Sequence, residues 1–198
     1  MSSVLVVVDV QNDFCAGGSL AVPDADAILP VVNRLMKEFH RVILTQDWHP
    51  RGHISFASGH PGQRAFDRIM LSYGEQMLWP DHCVEGTPGA AFHPLLEIPD
   101  DAPVVRKGVC RDVDSYSGFF ENDRTTPVGL HRCLRETDAG GIVLAGLATD
   151  CCVLHTALDA RTLGYEVTVI ESACRGIDRD GSVAEAWRRM EAAGVRRA

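Results

Sequence analysis

The sequence of 198 residues predicts an α/β fold, with three α/β/α layers around a mostly parallel central sheet, on three observations. Continuous apolar runs such as Val4-Leu5-Val6-Val7-Val8 lack the alternation of a half-exposed strand and suit strands covered on both faces. Segments with helical apolar spacing alternate with these runs, the order that places helices on both faces of a parallel sheet. Asp9, Asp47, Lys107 and Cys152 each fall at or just past the end of a different run. Ligands of such folds bind beyond the carboxyl ends of the strands. These four residues are therefore expected to share one site.

The first strand, 4–8, runs into a polar, Gly-rich loop over 11–23. A helix is expected from about Asp24, with Ile28, Val31, Val32, Leu35, Met36 and Phe39 as its apolar stripe. The second strand is 41–45. From 46 to 102 no period persists, and Gly, Pro, His and Asp abound. Loops of that length are uncommon unless they build a site or a lid, so 46–102 reads as a long metal-site or lid loop. The third strand is 104–107. Thr126-Pro127 is expected to open a helix, with proline at its first position. Strand 142–145, helix 152–163, strand 167–171 and helix 182–193 complete the alternation. No internal repeat appears, and a single domain over 1–198 is expected.

Composition narrows the function classes. The formal net charge of −8 argues against sequence-independent nucleic-acid binding, which needs a basic face. No basic-then-apolar leader opens the sequence, and its apolar runs fall below the roughly 18 residues of a membrane span. Seven cysteines, odd in number and without paired spacing, argue against a disulfide framework. The expectation is a reduced, cytoplasmic protein without a nucleic-acid or membrane partner.

The turn Gly146-Leu147-Ala148-Thr149-Asp150-Cys151-Cys152-Val153 joins a strand to a helix. Thr149 or Asp150 can cap that helix. A thiol in its first turn faces the positive end of the macrodipole, which favours thiolate. Free N–H groups there can receive an oxyanion. The two cysteines read equally well as small buried hydrophobes. A cysteine nucleophile needs a base, and Asp9 follows five apolar residues, so desolvation is expected to raise its pKa. By itself Asp9 also suits a loop start that bonds local backbone. Lys107 can pair with Asp9, or sit solvated at the sheet edge.

The run Asp47-Trp48-His49-Pro50-Arg51-Gly52-His53, with His82 further on, offers an N/O ligand set suited to zinc, iron or manganese. Solvated loop histidines are the alternative. Phe14, Trp79 and Tyr116 suit either core packing or a flat apolar slot for a heteroaromatic ring. Gly17-Gly18 lacks the spacing of a phosphate cradle and reads as a tight turn.

Five segments together carry a resemblance: Val8-Asp9-Val10-Gln11-Asn12-Asp13-Phe14-Cys15-Ala16-Gly17-Gly18-Ser19-Leu20; Asp47-Trp48-His49-Pro50; Trp79-Pro80-Asp81-His82-Cys83; Lys107-Gly108 with Asp114-Ser115-Tyr116-Ser117; and Gly146 to Val153. In order and over nearly the whole chain, they resemble the nicotinamidase/pyrazinamidase branch of the isochorismatase-like cysteine hydrolases. The resemblance implies that family's Rossmann-like fold. It also implies hydrolysis of nicotinamide, and of pyrazinamide, to the acid and ammonia, feeding NAD salvage.

Carried over by position, Cys152 resembles the nucleophile, Asp9 its proton acceptor and Lys107 the third member of the triad. The N–H groups of Ala148 and Cys152 resemble the oxyanion hole, after a cis peptide. Asp47, His49 and His82 resemble ligands of one divalent metal ion, with zinc favoured over iron or manganese, that anchors the pyridine nitrogen. Phe14, Trp79 and Tyr116 resemble the ring-pocket lining. The implied partner is a small-molecule amide. An extra ligand role for His53, the role of Cys151 (spectator or oxidation partner) and a homo-oligomer are left open. A relative acting on a carbamoyl or ureido compound is the nearest rival, but it gives the metal ligands no purpose. A metal- or redox-binding module leaves Asp9 and Lys107 unexplained.

Overall fold

The computed structural model describes residues 3–137 and 139–198. Its strands are β1 (Ser3–Val8), β2 (Val42–Asp47), β3 (Arg68–Leu71), β4 (Gly74–Met77), β5 (Val104–Lys107), β6 (Gly141–Leu147), β7 (Glu166–Arg175) and β8 (Arg196–Arg197). Its helices are α1 (Leu29–Glu38), α2 (Leu130–Arg135), α3 (Leu154–Thr162) and α4 (Ser182–Ala192). Six strands form the main sheet in the order β5-β2-β1-β6-β7-β8, every pair parallel. The fold is the α/β sandwich that the alternation of runs implies.

Burial on both faces explains the unbroken apolar runs. In β1, Leu5 and Val7 pack with Ile28, Val32 and Met36 of the α1 segment. Val4, Val6 and Val8 pack on the other side with Leu130, Leu134, Leu154, Ala157 and Met190. Successive side chains thus feed two different layers. No described helix is long and apolar enough to cross a membrane.

Several boundaries depart from the sequence reading. The helix expected from Thr126-Pro127 starts instead at Leu130. Pro127 lies in an antiparallel bridge to Phe120, and the Glu121 N–H bonds the Thr126 carbonyl at 2.9 Å. That closure needs extended backbone, which excludes helix at this point. The helix expected from Cys152 starts at Leu154, after a π turn over Thr149–Val153. The segment 46–102 is not featureless. It holds the antiparallel hairpin β3–β4 and short 3-10 turns.

Register positions the site. Val8 pairs with Thr45 and with Gly146, and Asp47 pairs with Lys107. The carboxyl ends of β1, β2, β5 and β6 therefore lie side by side. Gly146 allows this, because a Cβ there would lie 2.0 Å from the Val8 carbonyl oxygen.

Candidate active site

Lys107 is the hub of the strand ends. Its ammonium is fully buried, where an unpaired charge is not tolerated. Four groups receive it: Asp47 through a short ion pair, Asp9 Oδ2 at 3.0 Å, the Ser115 carbonyl at 3.1 Å and Cys152 Sγ at 3.3 Å. Asp47 meets it as its register partner across β2 and β5. Asp9, in left-handed backbone at φ 49°, turns its carboxylate back over the sheet. There Thr45 Oγ1 donates to Asp9 Oδ1 at 2.6 Å, while Oδ2, although close to the ammonium, makes no well-aligned hydrogen bond. One oxygen of Asp9, one of Asp47 and the Cys152 sulfur lie within 4.8 Å of one another.

Burial and charge set the protonation of this cluster. Burial pushes Asp9 up to about 6, against the pull of Lys107. For Asp47 burial pushes the same way, but Lys107 and then His49 outweigh it and hold the carboxyl below the usual range. Burial opposes the charge on Lys107, yet Asp47 and Asp9 together keep it firmly an ammonium. The Cys152 thiol is pushed well up by its hydrogen bond with Cys151 and by burial, despite Lys107. The expected thiolate is thus not the resting form, because burial and the neighbouring thiol oppose it.

The turn carrying the cysteines is fixed differently from expectation. Neither Thr149 nor Asp150 caps the helix. The Asp150 carboxylate instead accepts from the N–H groups of Ile177 and Asp178, both at 2.9 Å, and from the Ser182 hydroxyl. This ties the turn to the start of α4. The Ala148 carbonyl accepts the N–H groups of Cys151 and Val153 at 3.0 and 3.1 Å, and the Leu147–Ala148 peptide is cis.

Asp47 faces both ways. Its second oxygen lies 3.7 Å from His49 Nε2 and 4.0 Å from His82 Nε2. His49 Nδ1 faces the Gly108 carbonyl at 3.0 Å, and His82 Nδ1 faces the Pro80 carbonyl at 2.8 Å. A carbonyl can only accept, so each Nδ1 carries a proton, and in the neutral ring Nε2 then presents a lone pair. Burial pulls His49 down, but Asp47 outweighs it and holds His49 above its ordinary value. Carbonyl support behind a ligating imidazole is the usual outer shell of a metal site. These residues fit a divalent ion. Burial and the nearby His49 push His82 down to about 4, which keeps it neutral. Gly108, at φ +63°, is required here, since a Cβ would lie 2.3 Å from the His49 ring. His53 packs 4.4 Å behind His49, its two nitrogens facing Ser55 Oγ at 2.8 Å and the Val113 carbonyl at 3.3 Å. Both nitrogens are therefore engaged away from Asp47.

Phe14, Trp79 and Tyr116 line a narrow slot of about 20 Å³ with Ala148, Cys152, His49 and His82. Trp79, Tyr116 and Cys151 also border a wider cavity of about 600 Å³ outside it. Sequence reasoning missed Gln76, which is fully buried in β4. Its Nε2 donates to Asp114 at 2.7 Å and to the Tyr116 hydroxyl at 2.9 Å, so the hairpin holds the slot wall. Four-residue strands with polar members gave it no visible pattern.

The isochorismatase domain family matches residues 3–197. The chain belongs to the isochorismatase family. Among its relatives is a nicotinamidase of Acinetobacter baylyi, 50% identical, over 98% of this chain and 90% of that one. A solved nicotinamidase/pyrazinamidase of Acinetobacter baumanii is 52% identical, with a TM-score of 0.97 over 99% of this chain and 95% of the other. A solved pyrazinamidase of Pyrococcus horikoshii in complex with zinc is 35% identical, with a TM-score of 0.82 over 100% and 99%. Isochorismatase-family membership and the α/β fold thus rest on the whole chain rather than on single motifs.

Proposed function

We propose that this single-domain chain is a cytoplasmic nicotinamidase that hydrolyses nicotinamide, and pyrazinamide, to the acid and ammonia. This returns the pyridine ring to NAD synthesis. The observation that carries the reading is the buried contact of Lys107 with Asp9, Asp47 and Cys152, beside a slot lined by Phe14, Trp79 and Tyr116.

Asp9 takes the Cys152 proton as sulfur attacks the amide carbon. Because the thiol rests protonated and Asp9 stands near 6, transfer and attack proceed together rather than from a standing thiolate. The N–H groups of Ala148 and Cys152 receive the developing oxyanion, a contribution worth about 3–4 kcal/mol per donor in comparable sites. Protonated Asp9 then delivers its proton to the departing nitrogen, which leaves as ammonia, and a thioester remains on Cys152. Water, deprotonated by Asp9, cleaves the thioester and restores the thiol. Lys107 keeps the adjacent carboxylates in place throughout. Asp47, His49 and His82 would hold one divalent ion, zinc by donor chemistry and by likeness to the Pyrococcus horikoshii enzyme, to anchor the ring nitrogen.

The test is ammonia release from nicotinamide by zinc-replete protein, with a ureido compound in parallel. Turnover of nicotinamide is expected. Turnover of the ureido compound alone would overturn the reading.

A further inference from the structure

Outside the slot, a second group of cation-ligating side chains has no part in the chemistry above. Cys15 follows the turn after β1, Asp26 lies in the turn before α1, and His93 lies in the segment between β4 and β5. One ligand atom from each nevertheless lies within 4.8 Å of the other two. We propose that Cys15, Asp26 and His93 form a second divalent-cation site, suited to a borderline thiophilic ion such as zinc. The inference does not rest on the nicotinamidase reading.

The donor set carries the argument. A thiolate, a carboxylate and a neutral imidazole bring two negative charges, which a dication neutralises, and S/O/N ligation of this kind suits zinc. The backbone of two of these residues and the carboxylate of the third are already held. The Cys15 N–H bonds the Asn12 carbonyl at 3.1 Å, and the Ala16 N–H fixes Asp26 Oδ1 at 3.1 Å. The His93 N–H bonds the Val10 carbonyl at 2.9 Å. The Leu95 N–H contact to His93 Nδ1 at 3.2 Å has to give way when the imidazole ligates. Cys15 is buried while Asp26 is exposed, so the ion enters from the Asp26 side.

Burial, and then Asp26, push the Cys15 thiol up to about 12. Binding replaces the thiol proton: the S–H bond breaks, a sulfur–metal bond forms, and the proton passes to buffer. The bound ion would fasten the turn beside Phe14, whose ring lies 5.4 Å from His82, to the segment carrying His93.

Cobalt(II) added to metal-stripped protein tests this. Asp47, His49 and His82 contain no sulfur, so a sulfur-to-cobalt charge-transfer band reports a thiolate ligand elsewhere. In a Cys152→Ala background, a second equivalent of cobalt is expected to bind with that band and with proton release. Cys15→Ser should remove both the band and the second equivalent while keeping the first. His93→Gln, a change at a partly exposed residue, should weaken the second equivalent at least about tenfold, and it decides the matter if Cys15→Ser fails to fold. A single equivalent without the band, a band that survives Cys15→Ser, or unchanged affinity in His93→Gln would each overturn the proposal.

Discussion

Adjacent thiols with unequal surroundings make Cys151 and Cys152 separable by experiment. Cys152 is buried and touches the Lys107 ammonium, whereas the half-buried Cys151 lines both the slot and the wider cavity. Cys152→Ala is expected to lower kcat by about 10⁴-fold or more. Cys151→Ala should keep most of the activity, and reversed effects in the ammonia assay would exchange the two roles. Asp9 supplies a second test. As a base it must be ionised, and burial raises it from 3.8 to about 6. The sign follows directly: kcat/KM is full above that value and falls about tenfold per pH unit below it. A pH profile whose acid limb lies near the ordinary carboxylate range would contradict the role. Asp9 was legible in the sequence as a strand-end acid. The high thiol pKa of Cys152 was not, because it depends on a contact with Cys151 and on burial.

At the scale of elements, the short connections around the sheet do much of the positioning. Gly108, directly after β5, lets its carbonyl reach His49 Nδ1 because no Cβ intervenes. Gly108→Ala is expected to displace the His49 ring and weaken binding of a divalent ion about 10–100-fold, measured by competition with a chelator. Equal affinity in both proteins would rule this out. The long apolar runs made β1 and β6 readable, since burial on both faces leaves a plain signature. β3 and β4 left none, being brief and partly polar, and β8 is a pair of arginines. Pro127 misled for a related reason: proline suits a helix start and an extended bridge alike, and only its pairing with Phe120 decides.

For the molecule as a whole, the alternation of runs sufficed to predict a parallel sheet and the end at which Asp9, Asp47, Lys107 and Cys152 gather. The internal connections of that site were less readable, because Gln76 and Asp114 meet only across 38 residues of sequence. β5 is an edge strand of four residues, and Asp47 sits opposite Lys107 only in its native pairing with β2. A slip of one residue would swing Lys107 to the other face and bring Arg106, which now lies over the Trp48 ring, into its place. The Lys107 ion cluster and the histidine pocket would both be lost, since Asp47 belongs to each. Catalysis therefore proofreads the sheet: titrating competent sites counts the molecules whose outermost strand has zipped up in the right frame.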